Sequence, residues 1–305
     1  MRKTILITGS RGLIGTALSE RLMHKGHTVR RLVHQKTDQK DTYYWDPLAG
    51  NFDEKALVGT DCVVHLAGEP IAQRWNKKSK EAILKSRVLG TRLLVDRMKG
   101  LNSPAALIST SGINFYGAQA GYISNEDQES IPMANPGDGF LSEVCREWEQ
   151  EAQALEATKN RLVLLRTGVV LSKKGGALAR LLMPFKLGLG GVVGSGTQWM
   201  SWIELHDLVK IFTWAIEGDF SGSLNAVSPS PVQNKVFVTH LGKILKRPTV
   251  IPLPKFIVHM IFGAMGHETL LADIGVLPHR LIREGFQWEC PEINKALLKA
   301  LKDNG

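Results

Sequence analysis

The stretch Thr8-Gly9-Ser10-Arg11-Gly12-Leu13-Ile14-Gly15 sets three glycines three residues apart, directly after the apolar run Lys3 to Thr8 and before residues at helical spacing. In that setting Gly9 permits a tight turn, Gly12 lets a pyrophosphate approach the backbone, and Gly15 lets the helix pack closely on the strand. The N-terminus of the following helix then meets the phosphates with free N–H groups and the positive end of its dipole. The chemistry that Gly9, Ser10, Arg11, Gly12, Leu13, Ile14 and Gly15 support together is the holding of a dinucleotide. An ordinary glycine turn is the alternative.

A site for NAD places Asp or Glu about twenty residues beyond such a loop, where it accepts from ribose hydroxyls. Here that stretch holds Arg30, Arg31, His34 and Lys36, and its first acid is Asp38. Cations suit the 2′-phosphate of NADP instead. NADP is therefore the expected cofactor, with Arg11, Arg31 and His34 as contacts, and NAD is the less favoured one. The alternative is arginines that merely point to solvent from a strand edge.

These residues need a strand–helix–strand frame to hold them. Leu13, Ala17, Leu18 and Leu22 recur at helical spacing, Gly26 suits a helix C-terminus, and Thr28 to Val33 reads as the next strand. Apolar runs at Cys62 to Leu66, Ala106 to Ser109 and Leu162 to Leu165 have the length and branching of strands buried on both faces. Between them, Ile83, Leu84, Val88, Thr91, Val95 and Met98 share one helix face. Leu141, Val144, Cys145, Trp148, Ala152 and Leu155 share another.

The alternation predicts an α/β fold with a Rossmann-type doubly wound parallel sheet. After Gly168 the texture changes to a glycine-rich stretch, Leu187 to Gly196, a helix near Leu208 to Glu217, and proline-punctuated segments. The expected division is an NAD(P)-binding domain of residues 1–170 and 200–228. A smaller discontinuous C-terminal substrate lobe takes 171–199 and 229–305.

Beyond the glycine loop, the motifs His65-Leu-Ala-Gly-Glu69-Pro-Ile, Ser86-Arg-Val-Leu-Gly-Thr91, Ser109-Thr-Ser-Gly-Ile-Asn-Phe-Tyr-Gly117 and Phe140 to Glu149 follow in order. Gly191 to Trp202 and Asn225 to Pro231 come next, and Val276-Leu-Pro-His-Arg-Leu with Gly285-Phe-Gln-Trp288 ends the series. Together they resemble the extended short-chain dehydrogenase/reductase superfamily. The closer resemblance is to its atypical branch of sugar-nucleotide epimerase-like, epimerase-family proteins, which end in a short domain of unknown function. The resemblance implies that Leu66, Ala67, Gly68 and Glu69 lie beside the adenosine and that the Ser109 to Ser111 strand end lies beside the nicotinamide. It also implies a C-terminal lobe closing over substrate. Glu204 and His206 stand where relatives more often carry His and Asp.

Most of the superfamily uses a Ser or Thr hydroxyl with a Tyr and a Lys four residues apart on one helix: the phenol passes a proton and the Lys lowers its pKa. In the matching register this sequence has Leu141 and Cys145, and Arg87 replaces the structural Asn. The remaining catalytic candidates are Ser111, unless the alignment shifts by one and puts Gly112 there, and Tyr116, which is equally a packing residue. Arg74 and Arg87 are placed to clamp the cofactor pyrophosphate or an anionic substrate bidentately, or to pair with an acid such as Glu69. Gln198, Trp199 and Trp202 follow the glycine-rich loop as substrate contacts, with core packing as the other reading.

Composition narrows the rest. Of 305 residues, 43% are hydrophobic and 22% charged, the mix of a soluble globular protein. Cys62, Cys145 and Cys290 show no C-x-x-C spacing, so neither disulfides nor a metal site is expected. The first apolar run stops at Ile7, short of a secretory signal, and Phe256 to Met265 is too short to span a bilayer. A cytoplasmic protein without a membrane partner is expected. The net charge of +9 comes with no nucleic-acid motif, so the expected partner is an anionic small molecule, with a homodimer allowed. Two functions stay open: an NADP(H)-dependent oxidoreductase or epimerase on an anionic sugar-like substrate, and a non-catalytic dinucleotide-binding redox sensor or scaffold.

Overall fold

The protein is described here by a computed structural model for residues 1–118, 121, 123–128 and 139–302. At its centre is a sheet of eight strands: β1 (Thr4–Thr8), β2 (Thr28–Val33), β3 (Thr42–Asp46), β4 (Asn51–Phe52), β5 (Cys62–His65), β6 (Ala106–Gly112), β8 (Arg161–Thr167) and β12 (Gly222–Ala226). Three short pairs complete the strands: β7 (Ile123–Ser124) with β14 (Gly275–Val276), β9 (Val169–Leu171) with β11 (Trp202–Glu204), and β10 (Trp199–Met200) with β13 (Val232–Gln233). The helices are α1 (Leu13–His24), α2 (Lys77–Lys99), α3 (Phe140–Gln153), α4 (Gly176–Lys186), α5 (Leu205–Glu217), α6 (Asn234–Leu245), α7 (Lys255–Thr269), α8 (His279–Arg283) and α9 (Ile293–Lys302).

The sheet order is β12-β8-β6-β5-β1-β2-β3-β4, and every neighbouring pair is parallel except β3 with β4. The chain builds outward from β1 through β2 and β3, then returns to build the other way from β5. This is the doubly wound arrangement, and its direction reverses between β1 and β5. In open α/β sheets that switch point, at the carboxyl ends of the strands, is where ligands bind.

The strands read as unbroken apolar runs because both faces are covered. Ile5, Ile7, Val64 and Ile108 meet α1 and α5 through Leu18, Leu22, Leu208 and Phe212. Leu6, Val63 and Leu107 face α2 and α3 through Leu94, Val95, Met98 and Ala152. The expected face of α3 and its C-terminus, Leu141, Val144, Cys145, Trp148, Ala152 and Leu155, is buried throughout. On α2 the buried stripe is displaced from the expected one: Leu84 and Val88 are only half-buried, whereas Arg87 and Gly90 are buried. A polar side chain and a glycine carry no weight in an apolar pattern, which is why the shift was invisible. A third cluster, with Leu171, Leu178, Phe185, Trp202, Leu241 and Leu297, joins α4, α6 and α9 to β9 and β11.

Candidate functional site

The glycine loop leaves β1 and enters α1 at the switch point. Gly9 has φ +65°, and a Cβ there would lie 2.8 Å from the backbone carbon of Leu66, so the first loop packs directly on the second. A Cβ on Gly15 would lie 2.3 Å from the carbonyl oxygen of Gly9. Both positions therefore exclude any side chain. Gly12 precedes α1 and no side chain caps the helix, which leaves first-turn N–H groups to face the loop. Ser10 is 5% exposed, and its buried hydroxyl has no hydrogen-bond partner among the described residues. A loop packed too closely for side chains at Gly9 and Gly15, an uncapped helix start and an orphaned hydroxyl fit a bound pyrophosphate.

Thr8 locks the two loops together. Its Oγ1 accepts from the main-chain N–H groups of Leu66 and Ala67, each at 3.1 Å, and lies 2.7 Å from Nδ1 of His65. With two N–H groups already donating to it, the hydroxyl donates its own hydrogen to Nδ1, so the imidazole carries its proton on Nε2. That Nε2 has no hydrogen-bond partner and the ring stands edge-on to Trp45 and Trp148. Burial, with Arg87 adding to it, pushes the His65 pKa down to about 3.

The cations beyond β2 sort themselves by partner. Arg30 is spent on structure: its Nη1 donates to the carbonyl of Val58 at 2.5 Å and to Ala56 and Thr60 at 3.3 Å. Arg11 is exposed and Arg31 half-buried, and neither side chain makes a hydrogen bond or ion pair among the described residues. His34 follows the strand end and stacks on Trp45 at 5.5 Å, while the Lys36 ammonium sits over Tyr44 at 5.5 Å. Arg11, Arg31, His34 and Lys36 thus keep their charge or donors for a ligand.

At the other end, Ser109 is fully buried and its hydroxyl turns to the carbonyl of Thr110. Two residues on, Ser111 is 5% exposed, and its buried hydroxyl has no hydrogen-bond partner beyond a weak interaction with the Cys145 thiol. Leu141 and Cys145 are buried, and burial with the Glu149 carboxylate pushes the Cys145 thiol up to about 11. Tyr116 is held elsewhere: its hydroxyl donates to Oδ1 of Asn225 at 2.9 Å and accepts from Nη1 of Arg166 at 3.0 Å. Burial raises its pKa to about 12. Arg166 in turn grips Glu149 of α3 with two hydrogen bonds, 2.9 and 2.7 Å, both side chains being buried. The sequence carried no sign of this pair. Nor did it show Glu268, whose Oε2 accepts the main-chain N–H of Leu141 at 2.8 Å and so caps α3 from α7.

Residues 5–226 match the NAD dependent epimerase/dehydratase family, and residues 253–300 match a domain of unknown function, DUF1731. The chain belongs to this epimerase/dehydratase family. It is 38% identical over 295 residues to an epimerase family protein of Mycobacterium bovis, with 96% of each chain covered. It is similar to the crystal structure of the human epimerase family protein SDR39U1 (isoform 2) with NADPH, at TM-score 0.87 and 35% identity over 98% of this chain and 99% of that one. A nucleoside-diphosphate sugar epimerase from Corynebacterium glutamicum matches at TM-score 0.68 and 33% identity, covering 99% of this chain and 66% of that one.

Other residues of this family member fall on both sides of the cleft or behind it. The loop after β5 is braced on α4 by Arg180, whose Nη1 donates to the carbonyl of Ala72 at 2.7 Å. Arg74 is exposed there, and the Glu69 carboxylate accepts from Gln73 at 3.2 Å. Trp199 is half-buried. The structure places Gln198 and Trp202 in the interior instead of at a cleft mouth: Gln198 donates to the carbonyls of Val193 and Leu270, and Trp202 is fully buried, donating to Ser230. Glu204, Asp207 and Cys290 form a buried group of metal-ligating types. Its acceptors are already engaged: Asp207 accepts from the N–H groups of Glu289 and Cys290, and Glu204 accepts from that of His206 and lies 3.7 Å from the Lys299 ammonium.

Arg87 has neither the carboxylate of Glu69 nor any other carboxylate as ion-pair partner among the described residues. Its Nη1 donates to the main-chain carbonyls of Glu69 and Ile83, both at 3.0 Å, and the guanidinium lies over Trp148 at 5.1 Å. Burial lowers its pKa. A Cβ on Gly68 would lie 3.0 Å from Cζ, so the loop rests on the guanidinium plane. Arg87→Lys keeps the charge and loses the planar fork. Urea unfolding of this variant is expected to show a loss of about 1–3 kcal/mol, the cost of hydrogen bonds to a buried charge. Unchanged stability would contradict the anchoring role.

Proposed function

We propose that this protein binds NADP(H) and is an oxidoreductase or epimerase acting on an anionic, sugar-like substrate. The observation that carries the reading is the glycine loop packed at Gly9 and Gly15 ahead of an uncapped helix, with the orphaned Ser10 hydroxyl in it and free cations beyond β2 where an NAD site would place an acid. The human relative solved with NADPH and the sugar epimerase of Corynebacterium glutamicum support it. The cofactor lobe takes residues 1–170 and 200–228, and the substrate lobe 171–199 and 229–305.

Bound nicotinamide supplies the hydride acceptor or donor; the chain does the rest. First-turn N–H groups from Leu13 to Gly15 and the Ser10 hydroxyl hold the pyrophosphate, while Arg11, Arg31 and His34 hold the 2′-phosphate. Leu66 to Glu69 flank the adenosine, fixed by Thr8 and Arg87. Ser111, whose hydroxyl is engaged only weakly by the Cys145 thiol, polarises a substrate oxygen. Tyr116 is assigned to structure, since its phenol is committed to Asn225 and Arg166. Arg74 and Trp199 meet the substrate, and Gln198 and Trp202 shape the loop from behind.

A non-catalytic sensor is the second reading, favoured by one observation: buried Leu141 and Cys145 stand where a phenol and an ammonium would be. Incubation with NADP⁺ or NADPH and a panel of nucleotide sugars, followed through the cofactor's absorbance, separates the two. Turnover with an anionic nucleotide sugar is expected. Cofactor binding without turnover on any member of the panel would favour the sensor.

A further inference from the structure

α7 bends at Gly263, whose φ of +56° is non-helical; from Phe256 to Met265 it is apolar but for His259, yet Val258 and Gly266 are its only buried residues. A helix apolar all round belongs in a core or against an apolar medium. Phe256 and Met260, one turn apart, are 65% and 74% exposed. The chain entering the helix continues the surface with exposed Val250 and Ile251. Bridges from Gly191 to Val250 and from Val193 to Leu253 tie it to the glycine-rich stretch, which adds exposed Leu187 and Leu189. The result is one apolar ridge on the outside of the molecule.

Charge says what covers it. Lysines and arginines are spread along the chain, but acids are not: residues 157–203 and 220–267 contain no Asp or Glu, and hold seven and five Lys or Arg respectively. Every part of the ridge comes from these two segments. Lys186, Lys246, Arg247 and Lys255 are exposed beside its apolar residues. Apolar side chains that insert, fringed by cations and with Glu268 at the far end of α7 as the first acid in sequence, match an interface of anionic headgroups over acyl chains. A second copy fits poorly, because a two-fold contact through the ridge would set these cations against their own copies.

We propose that the ridge docks on an anionic lipid surface, with the part of α7 before the bend at Gly263 lying in the plane of the interface. Among the described residues no helix is long and apolar enough to cross a membrane, so the contact is peripheral. The expectation of no membrane partner rested on the absence of a spanning segment, which does not bear on a helix lying flat. Beyond the bend at Gly263, α7 carries Glu268, whose carboxylate caps α3 at the wall of the candidate site.

The test is co-sedimentation of the full chain with vesicles of phosphatidylcholine alone and of phosphatidylcholine mixed with phosphatidylglycerol, at low and high salt. Binding is expected on the mixed vesicles, about tenfold weaker on the neutral ones, and weakened by salt. The double substitution Phe256→Ser and Met260→Ser should lower binding to mixed vesicles by about tenfold or more while leaving the circular dichroism spectrum unchanged, because both side chains are exposed. No binding to mixed vesicles overturns the proposal. So does binding that the double variant retains, which would assign it to net charge alone. A chain that ignores vesicles but shows concentration-dependent mass in sedimentation velocity, lost in the same variant, overturns it in favour of a second copy.

Discussion

Replacing Arg166 with Met is expected to lower the unfolding free energy by about 3–5 kcal/mol, because it strands the Glu149 carboxylate without its partner in the interior. The two side chains are 1% and 2% exposed, and their paired hydrogen bonds tie α3 to the end of β8. The same guanidinium holds Tyr116, which holds Asn225 of β12, so one cation connects three strand ends beneath the candidate site. The double replacement Arg166→Met with Glu149→Leu removes both charges of the pair and should recover a large part of the loss. Urea unfolding of the single and double variants checks this. A double variant no more stable than the single one would mean that the cost lies in packing and not in the unpaired charge.

The second large effect is on pH dependence. His65 is neutral in the folded protein until pH falls to about 3, whereas in the unfolded chain it titrates near 6.5. The unfolded state therefore binds the proton first. Stability from this group is intact above about pH 6.5 and is lost at about 1.4 kcal/mol per pH unit as pH falls from there toward 3, roughly 5 kcal/mol over the whole window. His65→Asn keeps an acceptor for the Thr8 hydroxyl and removes the titration. The variant will be less stable at neutral pH, because the larger ring leaves a void between Trp45 and Trp148. Its stability should nevertheless fall less steeply with acid. Parallel slopes for the two proteins in urea unfolding between about pH 6.5 and about pH 5 would place the titration elsewhere.

Much of the cofactor end was legible in the sequence because its physics is local. Gly9, Gly12 and Gly15 lie within seven residues, and the strand before and the helix after them declare the context. The cations beyond β2 were legible as a group but not individually. Arg30 and Arg31 are neighbours in sequence, yet only Arg30 meets the carbonyls of Ala56 and Val58, which lie more than 25 residues away. The catalytic end was less legible for the same reason. Glu149 is 17 residues from Arg166, and Glu268 is 127 from Leu141. Spacing offers no clue to either pairing. Trp202 and Gln198 followed a glycine-rich loop, a place where exposed aromatics and amides are common, and only packing against α4, α6 and α9 and hydrogen bonding to Val193 and Leu270 reveals them as interior.

The central claim is that the loop between β1 and α1, with the cations beyond β2, forms a site for NADP(H). Calorimetric titration of the purified protein with NADPH and with NADH tests it most directly. The account predicts that NADPH binds at least about tenfold more tightly, a difference of about 1.4 kcal/mol supplied by the 2′-phosphate, and that Arg11→Glu or Arg31→Glu narrows the gap. Equal affinities for the two nucleotides, or no binding of either, would contradict it.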